Sequence, residues 1–231
     1  VLSRRQRQMC IRDRLNIRGK DLPNSPIANF QAILTSNKNI ILFGNIKKLK
    51  NLKKEFLKNK ISFYEKDDFF KILSSLKGNS FCIDSKTCSV FNEKLINSKF
   101  FIKKKVDPIN DLKSVKNNTE IKNMIEAHIK DGVAVTKFLY WIKNSNIRKL
   151  DEIKVEKKLE SFRKQSKNYL FPSFSTIAGS GPNGAIIHYR SNKKSNRKLN
   201  KDHLLLIDSG GQYKWGTTDT VSYTHLTLTT T

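Results

Sequence analysis

Short apolar runs alternate with amphipathic segments over residues 30–106, and this order limits the fold more than any other feature of the chain. The apolar runs have the length of strands, and apolar residues at helical spacing lie between them. Strands are predicted at 30–34, 40–43, 61–66, 80–84 and 99–106. Helices are predicted at 46–58, 67–77 and 88–96. Strands that alternate with helices indicate an α/β domain with a largely parallel or mixed sheet.

The pattern changes at residues 107–112, where we place a domain boundary. Helical spacing continues over 111–144, as one long helix or as two with a joint near Asn117 and Asn118, and a second amphipathic helix is predicted at about 151–165. The chain then becomes β-rich, with strands expected in 173–181, 184–189 and 203–210. We therefore predict an α/β (α+β) chain with one domain at 15–110 and another at 111–220.

The charge of the chain is strongly positive, because 45 Lys and Arg residues face 20 Asp and Glu residues. The lysines are spread along the whole chain together with abundant Asn and Ile, and A/T-rich codons produce this composition without any function. A nucleic-acid site would instead cluster its charge, include Arg and interleave exposed aromatic residues. The lysines of 45–60 lie opposite an apolar helical stripe, which indicates a solvated helix face. We expect no nucleic-acid partner.

Membrane and secretion signals are absent from the pattern of the sequence. No apolar run reaches the roughly 18 residues that a membrane span needs, and the Arg-rich start is not followed by the apolar segment of a signal peptide. The three cysteines are odd in number and form no CxxC pair, which favours a reduced intracellular protein. We expect a cytoplasmic protein without a membrane partner.

Both ends differ in composition from the rest of the chain. Five of the ten arginines lie within residues 1–14, and residues 221–231 are rich in Thr and contain no Lys, Asn or Ile. Both stretches resemble translated sequencing-adapter sequence. We expect them to be foreign to the protein and exclude them from the functional argument.

Two carboxylates lie near the end of the second domain, in "LLLIDSGGQYKWGTTDT" (204–220). If the two halves of this segment are antiparallel arms that turn near Tyr213 and Lys214, Asp208 and Asp219 are directly opposed. Two ionised carboxylates at that separation repel each other, and a divalent cation relieves the repulsion. The alternative is an Asp that only opens a D-S-G-G turn. From the residues alone, both interpretations stay open.

His188 follows a Gly- and Pro-rich segment, "GSGPNG" (179–184), and we place it near the far end of a strand. An isolated His is more often structural than catalytic, so its role is open at this point. The glycines lack the order of a phosphate-binding loop, and no helix clearly follows them, so we do not predict a phosphate site.

Several separate segments resemble one enzyme family in the same order along the chain. "SFSTIAGSGPNGAIIHY" (173–189) and "LLLIDSGGQYKWGTTD" (204–219) are similar to the aminopeptidase P (Xaa-Pro aminopeptidase) branch of the creatinase/methionine aminopeptidase superfamily, peptidase family M24. "KNNTEIKNMIEAHIKDGVAVTKFLYWI" (116–142) resembles the first helix of that family's catalytic domain. "LNIRGKDLPNSPI" (15–27) resembles the junction between its two N-terminal domains.

The resemblance implies a "pita-bread" catalytic fold preceded by a creatinase-type N-terminal domain. It implies a site for two divalent ions, commonly manganese, held by two Asp, one His and two Glu. Asp208 corresponds to the chelating Asp, Asp219 to the bridging Asp, and His188 to a histidine that contacts the substrate. The implied reaction is attack by a metal-bridging hydroxide on the Xaa-Pro bond of peptides with proline at the second position. Whether the whole protein is a homodimer stays open.

The chain also departs from the family. After Asp219 the family continues into a second catalytic half, whereas here "VSYTHL" intervenes and the remaining His and both Glu are missing. We therefore expect a truncated part of an enzyme that has no useful activity by itself.

Two other functions are considered. A prolidase is the nearest rival, although "GPNGAIIHY" and the "NIRG" segment favour aminopeptidase P. The other is a non-catalytic pita-bread module that binds a protein or a nucleic acid, which the retained pair of Asp208 and Asp219 disfavours.

Overall fold

The computed structural model describes residues 15, 17–49 and 60–225. The chain divides into two compact units, one of residues 1–22 and 26–115 and one of residues 23–25 and 116–231. The first unit is the α/β part of the chain, and the second has helices followed by strands. Within the described residues, no helix is both long and apolar enough to span a bilayer.

The first unit contains the predicted alternation of strands and helices. Its strands are β1 (Gln31–Leu34), β2 (Ile40–Phe43), β3 (Ile61–Tyr64), β4 (Ser80–Ile83) and β5 (Phe101–Lys104), and its helices are α1 (Phe69–Ser75), α2 (Val90–Asn97) and α3 (Pro108–Ser114). β1 and β2 are antiparallel, β2 and β3 are parallel, and β4 and β5 form a separate parallel pair. The three-stranded sheet is therefore mixed, and a mixed sheet is one of the two arrangements that the sequence predicts.

The core of the first unit lies between these strands and helices. Leu42 and Phe43 are completely buried on β2, and Leu73 on α1 is almost completely buried. Short 3-10 helices form at Ile46–Leu49 and Lys66–Asp68. Most of the helix predicted at 46–58 lies outside the described residues.

The second unit begins with two helices. α4 (Asn118–Lys143) and α5 (Glu152–Arg163) pack against each other, and a 3-10 helix (Ile147–Lys149) lies between them. Of the two predicted arrangements for 111–144, the structure has two helices with a joint, because Asn117 caps α4 reciprocally with Glu120. Asp151 caps α5 by accepting a hydrogen bond from the Lys154 backbone N–H.

The strands of the second unit follow the helices. They are β6 (Tyr169–Pro172), β7 (Ile177–Ser180), β8 (Leu204–Ser209), β9 (Gly211–Tyr213) and β10 (Thr220–His225). β8 lies between β7 and β10 in an antiparallel sheet, and β6 pairs with β9. Residues 221–225, which we set aside on composition, extend this sheet as part of β10, and the β-branched Val221 and aromatic Tyr223 suit a strand.

One face of this sheet packs on the helices. Ala178, Leu205 and Ile207 lie in a core with residues of α4 and α5, such as Phe138 and Leu159. Because side chains alternate along a strand, Asp208 lies on the other face.

The apolar residues of α4 do not all face this core. Four of the residues on which the helical prediction rests, Ile121, Ile125, Ile129 and Val133, are about half exposed, and Val115 before the helix is 77% exposed. The buried stripe instead contains Ala127, Asp131, Ala134, Phe138 and Ile142. Both stripes have helical spacing, so the periodicity predicts the helix without selecting its buried face.

The strand predicted at 184–189 is wrong. Residues Gly181–Ala185 form a 3-10 helix, and His188 lies in the turn that follows, with φ of 54°. Pro182 fixes its own backbone and has no N–H to give to a ladder, and Gly181 has φ of 57°, so the segment cannot extend β7. His188 is therefore in a turn and not near the end of a strand.

Candidate metal centre

Asp208 lies on β8 and Asp219 directly before the antiparallel strand β10, and the two carboxylates are not directly opposed. In the β8–β10 register Asp208 pairs with Val221, and Ser209 pairs with Thr220. Asp219 is therefore a diagonal neighbour of Asp208 on the same face of the hairpin. The turn lies one residue later than predicted, at Lys214 and Trp215, because the Tyr213 N–H donates to the Gly216 carbonyl. A shift of one residue at the turn changes the residue opposite Asp208 by two positions, from Asp219 to Val221, so Asp219 stays on the same face of the sheet as Asp208.

The Asp208 carboxylate is half-buried and incompletely satisfied. Its Oδ1 atom is buried and has no hydrogen-bond partner among the described residues. Burial raises the pKa of Asp208, the charge of Asp219 raises it further, and the charge of His188 opposes this rise. The charges of Asp219 and His188 thus both act on the Asp208 carboxylate.

His188 is held in place by the residue that follows it. Its side chain is exposed, whereas Tyr189 is 5% exposed. The Tyr189 N–H donates to the Ile186 carbonyl and closes the turn that contains His188. A residue other than Gly with positive φ is uncommon, so the turn needs this support.

A buried carboxylate anchors both ends of the His188 segment. Glu152, at the start of α5, is 0% exposed. Its Oε1 accepts hydrogen bonds from the Ser180 N–H at 2.8 Å and from the Asn183 side-chain amide at 3.0 Å. Its Oε2 lies 2.7 Å from the Tyr189 hydroxyl and accepts the Arg197 N–H at 3.0 Å. Glu152 therefore connects β7, the 3-10 helix and the turn.

A second buried network lies beneath the hairpin. Arg163 Nε donates to Asp131 Oδ1 at 2.7 Å, and Arg163 Nη2 donates to Asp131 Oδ2 at 3.1 Å and to Ser209 Oγ at 3.1 Å. The Tyr213 hydroxyl donates to Asp131 Oδ1 at 2.9 Å, and the Thr220 hydroxyl lies 3.4 Å from Oδ2.

Burial alone would raise the pKa of Asp131, but the hydrogen bonds and charge of Arg163 and the bond from Tyr213 lower it below its ordinary value. Burial and the neighbouring Asp131 charge raise the pKa of Tyr213, so the phenol stays a donor.

The sequence predictions missed both buried networks. A signal was present, because Asp131 lies on the stripe of Ala127, Ala134 and Phe138, and Glu152 and Arg163 continue the stripe of Val155 and Leu159. A charged residue at a core position of an amphipathic helix needs a buried partner. What the sequence does not give is the identity of that partner.

The donor set fits part of a metal site. Within residues 15, 17–49 and 60–225, no three His, Cys, Asp or Glu side chains lie close enough together to hold an ion. Asp208 and Asp219 nevertheless place two carboxylates on one face, and one buried oxygen has no protein partner. Carboxylate oxygens suit hard divalent ions such as Mg²⁺ and Mn²⁺. The two residues present are thus suited to two of the places in a larger ligand set.

Family models match nearly the whole chain in two consecutive segments. Residues 14–120 match the creatinase/prolidase N-terminal domain, and residues 122–227 match metallopeptidase family M24. The two models together cover residues 14–227, and the M24 model matches the second unit. The fold class is confirmed, since the α/β first unit and the partial M24 unit correspond to these two models.

Similar proteins carry the name of the branch that the motifs indicate. Xaa-Pro aminopeptidase ApepP of Drosophila melanogaster is 34% identical over an alignment of 220 positions, gaps included, that covers 91% of this chain and 35% of that protein. The "Probable Xaa-Pro aminopeptidase P" of Paracoccidioides brasiliensis is 32% identical over an alignment of 238 positions, gaps included, that covers 91% of this chain and 36% of that protein. The resemblance to aminopeptidase P is confirmed, and the chain spans about a third of the length of these curated relatives.

Solved structures show the same fold. The X-prolyl aminopeptidase from Caenorhabditis elegans, described as a cytosolic enzyme with a di-nuclear active site, has a TM-score of 0.82 at 24% identity, over 96% of this chain and 38% of that chain. Prolidase from Pyrococcus furiosus has a TM-score of 0.64 at 22% identity, over 91% of this chain and 58% of that chain.

Proposed function

We propose that the chain is part of a metalloaminopeptidase that removes the residue before proline at the N-terminus of peptides. The observation that mainly supports this is the pair of Asp208 and Asp219, which share one face of the β8–β10 hairpin, with the buried Oδ1 atom of Asp208 unpartnered among the described residues. We take the reaction from the names of the relatives, which are Xaa-Pro aminopeptidases. The described di-nuclear site of the worm enzyme supplies the number of ions.

Each candidate residue has a distinct part in the proposed reaction. Asp208 would chelate one ion and Asp219 would bridge two, which in the cell we propose to be Mn²⁺. Divalent ions at such a site act as Lewis acids toward a peptide carbonyl. His188, exposed on its turn, would contact the substrate beside the Xaa-Pro bond, and the anchored turn would hold its ring in one place. Placement of this kind lowers the barrier by removing rotational freedom before the reaction.

We propose that the 231 residues alone do not turn over substrate. Two carboxylates are two of the five ligands that the family resemblance implies, and a site without the remaining three binds ions weakly. The proposed partners are peptides with proline at the second position, without a nucleic acid or a membrane. The proposed location is the cytoplasm, as for the worm enzyme.

The test uses the longer gene product that contains the rest of the catalytic sequence. We expect Mn²⁺ to stimulate the release of the first residue from a tripeptide with proline at position two, and we expect Asp208→Asn to abolish this release. A protein that cleaves only Xaa-Pro dipeptides would be a prolidase. A protein that releases no residue from either peptide with Mn²⁺ would refute the peptidase proposal and favour a binding module.

A further inference from the structure

The most unusual feature of the second unit outside the candidate site is a buried ion pair between its two helices. Asp131 on α4 and Arg163 on α5 are each 1% exposed. They form two parallel hydrogen bonds, at 2.7 and 3.1 Å, in the planar geometry that Arg and a carboxylate prefer. The pair lies on the side of the sheet opposite Asp208.

The ion pair contacts both strands of the hairpin next to the candidate ligands. Arg163 Nη2 donates to Ser209, the residue after Asp208. Asp131 Oδ2 lies 3.4 Å from the hydroxyl of Thr220, the residue after Asp219. Since successive side chains alternate between faces, fixing Ser209 and Thr220 on one face fixes the two aspartates on the other.

The same carboxylate also holds the end of the hairpin. Asp131 Oδ1 accepts a hydrogen bond from the Tyr213 hydroxyl at 2.9 Å, directly before the turn at Lys214 and Trp215. One carboxylate therefore contacts the turn and, directly or through Arg163, both strands. A one-residue slip of β10 against β8 would turn Thr220 to the other face and break its contact with Asp131.

Stability is a weak reason for such a pair. Burying two charges costs about as much as their attraction returns, and apolar residues of the same volume often serve stability equally well. Apolar side chains, however, form no directional hydrogen bonds to Ser209 and Thr220, and therefore would not fix the register of the two strands. The pair is thus better explained by geometry than by stability.

We propose that Asp131 and Arg163 are positioning residues that hold Asp208 and Asp219 at the separation at which both bind one divalent ion. This inference rests on the proposed function. The contacts act from the opposite face of the sheet, so neither residue touches the ion or the substrate. Removing a contact would leave both aspartates in the chain but change the distance between their carboxylates.

The test measures Mn²⁺ affinity in the 231-residue chain, from the electron paramagnetic resonance signal of free Mn²⁺. In the wild-type chain, we expect a weak site that either Asp208→Asn or Asp219→Asn abolishes. Tyr213→Phe removes a single hydroxyl from the network, and we expect it to weaken the affinity about tenfold, as loss of a partner that orients a ligand does.

A matched control is available beside Tyr213. Tyr169 packs edge to face against it, with ring centroids 5.6 Å apart, and its hydroxyl bonds another carboxylate, that of Glu160. Tyr169→Phe thus makes the same chemical change without touching Asp131. We expect its Mn²⁺ affinity to be that of the wild-type chain. A purely structural role would lower the affinity in both variants by the same factor.

A second variant separates positioning from folding. We expect the double substitution Asp131→Leu and Arg163→Met to keep cooperative unfolding and to lose the shared site. Wild-type affinity in this variant and in Tyr213→Phe would overturn the inference, as would a wild-type site that needs only one of Asp208 and Asp219. If the double variant does not fold, the comparison of Tyr213→Phe with Tyr169→Phe decides. Failure of the proposed function would appear separately, as a longer gene product that cleaves no Xaa-Pro peptide.

Discussion

Glu152 gives the sharpest prediction for the stability of the second unit. Its carboxylate is completely buried and accepts two backbone N–H groups, those of Ser180 and Arg197, on different oxygens. Glu152→Gln keeps the size of the side chain but turns one acceptor oxygen into an amide donor. In either orientation of the amide, a donor of the protein then faces another donor.

The magnitude follows from the number of groups left unpaired. One oxygen receives the Ser180 N–H, and the other receives the Arg197 N–H and lies 2.7 Å from the Tyr189 hydroxyl. A buried donor without an acceptor costs about 1–3 kcal/mol, and one or two donors lose theirs. We therefore expect Glu152→Gln to lower the free energy of unfolding of the second unit by about 2–4 kcal/mol.

Tryptophan fluorescence during urea unfolding is a suitable assay. The chain has two tryptophans, Trp141 and Trp215, and both lie in the second unit, so the signal reports on that unit alone. With a typical urea dependence for a small domain, the midpoint should fall by about 1–2 M. The same substitution at the exposed residue Glu126 on α4 is the control and should change the free energy of unfolding by less than about 0.5 kcal/mol.

A midpoint for Glu152→Gln equal to that of Glu126→Gln would refute the reasoning. It would mean that the hydrogen bonds to Glu152 are replaced by water without cost. Hydrogen exchange offers a local check, because the Ser180 amide should exchange faster in Glu152→Gln even where the midpoint shift is small.

Three further predictions concern the hairpin and its supports. Asp208→Asn should raise the free energy of unfolding by roughly 0.5–1 kcal/mol in low salt, because it removes repulsion from the diagonal neighbour Asp219, and added salt should reduce this gain in urea titrations. Gly210→Ala should destabilise the second unit by roughly 3 kcal/mol in the same titrations, since a Cβ there would lie 2.1 Å from the Thr218 carbonyl oxygen, and Thr218 is held by its N–H bond to the Gly211 carbonyl. The pKa of Asp131 is lower in the folded protein, so its contribution to stability is complete above about pH 4 and is lost as the pH falls through the lowered pKa. Fluorescence-monitored unfolding of Asp131→Asn should therefore depend less on pH in that acidic range, and an unchanged slope would contradict this assignment.

The order of elements was largely predictable, because each depends on residues close together in the chain. The antiparallel pair β1 and β2, the helix α5 and the strand β8 all lie where apolar spacing and turn residues predict them. The exception at 184–189 has a local cause as well, since Pro182 and the positive φ of Gly181 remove that segment from the ladder.

For the candidate site, the sequence predicts which residues form it and only part of their geometry. The alternation of side chains along β8 and β10 already places Asp208 and Asp219 on one face. Their diagonal relation follows from the position of the turn, which depends on the hydrogen bond between Tyr213 and Gly216. The spacing of the glycines and aromatic residues does not determine the position of the turn to within one residue.

The sequence by itself determined the two-part organisation, the helices and strands, and the chemical types that meet at the hairpin, because periodicity and turn chemistry are local properties. Only the tertiary structure decided which stripe of α4 is buried, which residue satisfies Glu152, and that Asp131 and Arg163 contact the hairpin from below. These are pairings between residues 28 to 89 positions apart. A charged residue on an apolar helical stripe indicates that it needs a buried partner, but the packing in three dimensions decides which residue that partner is.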